Sequence, residues 1–239
     1  MNTPIRLGFL VAPGNPTVEP EMHRLAPPEV TVHFDRMVAR GKTGSHEGQK
    51  ERNLSMLAGL DENVELLALV KPAVIVLGHT ASSYSLGAEA EAKLVDRLTK
   101  ASGVPFVTAF GAVLAALKHL GAKRVSLGTP YAPEVTQESK AHLEAQGFKV
   151  PAWGQLANVK NIYEETLERA GELTRSVDSP ESEVVFLSGT GMPTAGMLEK
   201  LERELGKPVI SSNSAMMWHA LRVAGVKTKV AGYGRLLMS

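Results

Sequence analysis

Cysteine is absent from this sequence. That one absence excludes disulfides, thiolate metal centres and cysteine nucleophiles together. Long apolar runs are missing as well, since no stretch approaches the roughly 20 apolar residues a membrane helix needs. No membrane association is expected. Neither charge sign is in excess: 26 Lys and Arg face 25 Asp and Glu, for a formal net charge of +1. Aromatics make up only 5%, so the chain lacks the basic, aromatic-interleaved surface of a nucleic acid binder, and no nucleic acid partner is expected. The start, Met1-Asn2-Thr3-Pro4-Ile5-Arg6, runs into a strand-like segment without the basic, apolar and small-residue regions of a secretory leader, which makes the cytoplasm the expected location. His23, His33, His46, His119 and His142 are scattered without His-x-x-x-His or carboxylate-paired spacing. No metal site is expected.

What is present is a repeat. Val74-Ile75-Val76-Leu77-Gly78-His79-Thr80 matches Val184-Val185-Phe186-Leu187-Ser188-Gly189-Thr190. Downstream, Gly103-Val104-Pro105-Phe106-Val107-Thr108 matches Gly206-Lys207-Pro208-Val209-Ile210-Ser211, and residues 117–123 match 221–227. Two similar half-chains predict two similar lobes with a ligand crevice between them. The expected division is 1–117 with 214–239 as one lobe and 118–213 as the other. The repeat sets His79 opposite Gly189, so chemistry at this point is expected to be one-sided.

Short β-branched runs at 5–11, 30–34, 73–77, 106–108, 124–128, 183–187 and 209–211 alternate with helical patterns. That alternation predicts an α/β fold with parallel sheets covered by helices. The run Ala73-Val74-Ile75-Val76-Leu77 has no polar alternation, which fits a strand buried on both faces. Residues 89–98 place Ala90, Leu94 and Leu98 on one helical face, and 197–205 do the same with Leu198, Leu201 and Leu205. Gly121, Gly147, Gly206 and Gly225 stand where helices should stop. Residues 40–49, with Gly41, Gly44 and Gly48, form the most loop-like stretch and a candidate flap.

In parallel α/β folds, ligands bind beyond the carboxyl ends of the strands. That rule selects 12–18, 78–83, 129–132, 156–158 and 188–194, all rich in small, hydroxyl, amide or Gly residues. Such residues suit a carboxylate-sized guest. In Gly78-His79-Thr80-Ala81-Ser82-Ser83, backbone N–H groups and hydroxyls at Thr80 and Ala81 are candidate oxyanion donors. His79 either moves a proton near neutral pH or packs between the lobes against a backbone carbonyl. In Ser188-Gly189-Thr190-Gly191-Met192-Pro193-Thr194, Gly189 permits close backbone approach and Thr190 offers a donor; the stretch is neither a Walker loop nor a dinucleotide fingerprint. Asn15 and Tyr131 are neutral candidates for binding a carboxylate, with turn duty and core packing as the alternatives, and Tyr131 is also, with His79, a candidate catalytic residue. Asn158 is weaker, because loop Asn residues are most often structural. His219, beside Trp218, reads as a packed helical histidine.

Taken in order, these residues resemble a known family. The opening Ala12-Pro13-Gly14-Asn15-Pro16-Thr17-Val18-Glu19, the Gly78-His79-Thr80 tip, Thr129-Pro130-Tyr131, Ser188-Gly189-Thr190, Pro208-Val209-Ile210-Ser211-Ser212-Asn213 and Gly232-Tyr233-Gly234-Arg235-Leu236 resemble the arylmalonate decarboxylase and maleate isomerase branch of the aspartate/glutamate racemase superfamily. The resemblance implies two Rossmann-like lobes related by a pseudo-two-fold, an active site in the cleft, no cofactor, and chemistry through an enolate beside a carboxylate. It also implies a thiol in each lobe of the racemases and maleate isomerases, and one in the second lobe of the decarboxylase. Those positions match His79 and Gly189 here. Thiol-based racemisation and thiol addition to a double bond are thereby removed. Asn15, Tyr131 and Asn158 match the maleate isomerase pattern, and Thr80 and Tyr131 match the decarboxylase anion site. The resulting expectation is a cofactor-independent decarboxylase or carbon–carbon lyase acting on a small carboxylate or dicarboxylate, with His79 as general acid or base. A cis–trans isomerase or racemase with replaced thiols, and a non-catalytic carboxylate-binding relic, are the alternatives. The oligomeric state stays open, a homo-oligomer included.

Overall fold

A computed structural model of the chain describes residues 3–40, 44, 45 and 47–239. In chain order the first half comprises β1 (Ile5–Val11), α1 (Val18–Leu25), β2 (Val30–Arg36), α2 (Gln49–Ala58), α3 (Leu60–Ala68), β3 (Val74–Gly78), α4 (Thr80–Leu86), α5 (Ala88–Ser102), β4 (Phe106–Thr108) and α6 (Ala109–His119). The second half comprises β5 (Val125–Thr129), α7 (Pro133–Ala145), β6 (Trp153–Gln155), α8 (Leu167–Ser176), β7 (Val184–Leu187), α9 (Leu198–Leu205), β8 (Val209–Ser211) and α10 (Ser212–Val223). The strands build two parallel four-stranded sheets, ordered β2-β1-β3-β4 and β6-β5-β7-β8. The two orders are the same, which is the structural form of the sequence repeat.

Three apolar clusters explain why the central strands lack polar alternation. Val74 and Val76 of β3 belong with Val184 and Phe186 of β7 to a core shared by both sheets. Ile75 and Leu77 belong to a second cluster on the outer face of the first sheet, and Val185 and Leu187 to a third on the outer face of the second. Side chains alternate across a strand, so each central strand serves two cores at once. In the shared core α6 and α10, the helices that follow the last strand of each sheet, pack against each other. Both begin with a hydroxyl cap: Thr108 accepts from the Gly111 N–H, and Ser211 exchanges bonds with Ser214 in a capping box.

The expected strands are present with ends shifted by up to two residues; β2 extends to Arg36 and β3 ends at Gly78. Gly121, Gly147, Gly206 and Gly225 follow helices with positive φ, the geometry of a helix stop. β6 was not foreseen. It is a three-residue edge strand, paired only with β5 and built on Trp153-Gly154-Gln155, with no β-branched run to announce it. Of the expected flap, Gly41 and His46 lie outside the described residues. Gly44 is buried, and Gln49 opens α2 rather than closing a loop. Among the described residues no helix is long and apolar enough to cross a membrane.

Candidate active site

The carboxyl ends of β1, β3, β5 and β7 meet where the two sheets face each other, and His79 stands at the tip of β3. Gly78 permits this approach, because a Cβ there would lie 2.8 Å from the Leu10 carbonyl oxygen. His79 is buried in extended backbone, with Nδ1 2.8 Å from Ser82 Oγ. Its Nε2 makes no hydrogen bond to any described residue. The ring lines two cavities of about 20 and about 10 Å³, each room for about one water.

The smaller cavity is lined by His79, Pro130, Tyr131, Ile162, Tyr163, Gly189, Thr190 and Gly191. A hydrogen-bonded chain fixes its far wall. Asn15 Nδ2 donates to Thr190 Oγ1 at 3.1 Å, and Thr190 Oγ1 donates to the Gly78 carbonyl at 3.0 Å. Asn15 Oδ1 accepts from the Thr17 and Val18 N–H groups, while Thr17 Oγ1 donates to Gly191 O at 2.8 Å. Thr80 Oγ1 donates to Ser212 Oγ at 2.8 Å, which accepts the Gly189 N–H at 3.2 Å. The N–H groups of Thr190 and Gly191 have no partner among the described residues. Behind the loop, the carboxylate of Glu21 accepts from the N–H groups of Thr194 and Ala195 and from Asn213 Nδ2 at 2.6 to 2.7 Å. Asn213 Nδ2 also donates to Thr190 O at 3.1 Å, so a side chain of α1 sets the loop of the opposite sheet.

Tyr131 is buried, and desolvation keeps its phenol far above the ordinary range, opposed only in part by the Ser188 and Thr80 hydroxyls. It stays protonated and can donate a hydrogen bond. Burial first, and the Arg52 charge second, push the His79 pKa down to about 4. The sequence-based expectation of ordinary titration near neutrality is thus corrected: the ring is neutral at pH 7. Linkage gives this shift a sign. The unfolded chain binds a proton near 6.5 and the folded chain only near 4, so stability falls as pH drops through that window and levels off below it. The expected loss is about 3 kcal/mol. Urea unfolding of the parent and of His79→Asn at pH 7 and 4.5 should reveal it as a difference between the two; parallel curves would contradict it.

Gly189 holds φ at +106°, and a Cβ there would meet Pro130 Cγ at 2.9 Å and Tyr131 Oη at 3.4 Å. A thiol therefore cannot be restored at this position without strain. Gly189→Cys should lower stability by about 1–3 kcal/mol, measured by chemical denaturation; unchanged stability would show that the loop relaxes freely.

The structure brings His79, Tyr131, Gly189 and Thr190 together around the smaller cavity, with Asn15 behind Thr190. Thr80 and Ala81 are buried in the first turn of α4. Asn158 stands apart: it is exposed after β6 with φ of +56°, a turn geometry Asn tolerates, and it lines neither cavity. Sequence reasoning missed the wall of the larger cavity, which holds Gln49, Arg52 and Asn53 of α2, together with Ile162 and Tyr163. Burial pushes the Tyr163 pKa up to about 12. The Ile162 N–H donates to Gly44 O at 2.9 Å, closing the two segments over His79. Among the described residues no group of three His, Asp or Glu side chains is arranged to hold a metal ion.

Comparison with known proteins adds three findings. The family profile described as arylmalonate decarboxylase matches residues 7–237. The arylmalonate decarboxylase of Bordetella bronchiseptica is 34% identical over 172 residues, covering 69% of this chain and 70% of that protein, and a maleate isomerase of Nocardia farcinica is 30% identical over 97% of this chain and 95% of that protein. Among solved structures, a cysteine-to-serine variant of the Nocardia farcinica maleate cis-trans isomerase with a covalently bound succinylcysteine intermediate superposes with a TM-score of 0.88 at 27% identity, over 98% of each chain.

Proposed function

The chain belongs to the arylmalonate decarboxylase family and is a carboxylate-acting enzyme, and on that premise we propose that it is a decarboxylase or related carbon–carbon lyase of a small dicarboxylate, with His79 as the proton donor. The observation that carries this reading is the buried His79 ring, which lines both cavities, shares the smaller one with Gly189, and has no partner at Nε2 among the described residues. With Nδ1 accepting from the Ser82 hydroxyl, the ring proton is assigned to Nε2.

One carboxylate of the substrate faces Tyr131 and the N–H groups of Thr190 and Gly191. When the bond from the α-carbon to the other carboxylate breaks, CO2 leaves and the electron pair delocalises into the retained carboxylate as an enediolate. Neutral donors held at fixed positions stabilise that charge as it develops. His79 Nε2–H then protonates the α-carbon from one face, and water reprotonates the resulting imidazolate with release of hydroxide. No covalent nucleophile is needed, so the absent thiols are compatible with turnover. Access for the substrate requires the Gly44–Ile162 contact to open. The division into 1–117 with 214–239 and 118–213 belongs to the same reading, supported by the packing of α10 on α6 and β3.

Maleate-type isomerisation is the second reading, supported by the full-length likeness to the Nocardia farcinica enzyme. It needs a nucleophile that adds to a double bond, and here only the His79 ring stands at a thiol position. Incubation with malonate, 2-substituted malonates and maleate, followed by mass balance, separates the readings. A lyase releases one CO2 per substrate consumed; conversion at constant mass favours the isomerase, and binding without conversion favours a relic.

A further inference from the structure

The larger cavity is lined by a cation whose nearby carboxylates, Glu51 and Glu47, act on its charge without forming an ion pair. Arg52 is only 7% exposed, although a buried guanidinium is stable only when paired or fully hydrogen-bonded. Its Nη1 and Nη2 donate to the carbonyls of Glu47 and Ser45, which leaves three of its five N–H groups without a partner among the described residues. No described carboxylate forms an ion pair with it. One helical turn earlier, Gln49 is 6% exposed and lines the same cavity, and its Oε1 has no hydrogen-bond partner. A half-turn of that amide would present Nε2–H instead. Next to Arg52, Asn53 Nδ2 donates to Ser85 Oγ at 3.0 Å and Ala81 O at 3.4 Å, which ties α2 to α4 and so fixes Arg52 relative to His79.

We propose that Arg52, assisted by Gln49, is a cationic subsite for the second carboxylate of a dianionic substrate, in a cavity that shares its His79 wall with the Thr190–Gly191 cavity. The proposal rests on the reading that the cleft binds a small dicarboxylate, and it assigns the partner of the second carboxylate. The two cavities share His79, Ile162 and Tyr163. A molecule with a carboxylate in each therefore presents its intervening carbon to the imidazole. The smaller cavity supplies neutral donors, suited to the carboxylate that becomes the enediolate. The larger supplies the charge that selects a dianion over a monoanion.

The test is equilibrium binding of succinate and butyrate, which share a four-carbon chain and differ in one terminal carboxylate, measured by calorimetry on the parent, Arg52→Gln, Arg52→Lys and Gln49→Leu. The parent should prefer succinate, and Arg52→Gln should weaken succinate by about 10- to 100-fold with little change for butyrate. Arg52→Lys should retain part of the preference, and Gln49→Leu should lose a smaller part than Arg52→Gln. Arg52 also holds the loop carbonyls, and a purely structural role would weaken both probes equally in Arg52→Gln; that result overturns the subsite. Butyrate binding without a succinate preference in the parent overturns the subsite alone. Failure of both probes to bind overturns the carboxylate reading and the subsite together.

Discussion

Replacing His79 with asparagine should lower kcat for CO2 release by about 100-fold or more while KM changes little. Asparagine is the informative choice because its amide can still meet Ser82 Oγ, 2.8 Å from Nδ1 in the parent, yet has no acid–base function near neutral pH. In the proposed mechanism the retained carboxylate faces Tyr131, Thr190 and Gly191, none of which the substitution touches, so binding should survive. Protonation of the enediolate would then fall to water, which can approach from either face. The product should lose enantiomeric purity as well as yield. A variant that raises KM and spares kcat would reassign His79 to binding.

Glu21→Ala should carry the largest stability loss among these changes, roughly 3–5 kcal/mol. The Glu21 carboxylate is buried and accepts from the Thr194 N–H, the Ala195 N–H and Asn213 Nδ2 at 2.6 to 2.7 Å, with Thr194 Oγ1 at 3.3 Å. Alanine leaves those donors facing a cavity. Because Asn213 also holds Thr190 O, the loop that carries the Thr190 and Gly191 N–H groups should shift, and kcat/KM should fall with stability. Glu21→Gln keeps one acceptor oxygen and should lose less than half as much. Urea unfolding of both variants measures this; a loss under about 1 kcal/mol for alanine would mean that the loop is set by other contacts.

Where a residue type and a repeat coincided, the sequence was legible. The apolar runs at β3 and β7 and the Pro-led strands β4 and β8 fall at matching places in two sheets of the same order, because side chains that feed two cores leave no room for polar alternation. The His79–Gly189 opposition followed from the same register. Arg52 was not legible. In Gln49-Lys50-Glu51-Arg52-Asn53 it reads as one charge on a solvated helix face, and only the packing of α2 against α4 and Tyr163 buries it. The depressed His79 pKa was hidden for the same reason, since it depends on burial and on that arginine. Asn158 suits carboxylate binding by residue type, and the structure places it at the surface in left-handed backbone, in the lining of neither cavity.

The most direct measurement is the reaction of a prochiral 2-substituted malonate in D2O, with CO2, deuterium content and product chirality followed together. One CO2 per turnover, one deuterium at the α-carbon and a single enantiomer are the expected outcome of proton delivery by one imidazole facing a glycine. A racemic product, or consumption of substrate without CO2, would contradict it.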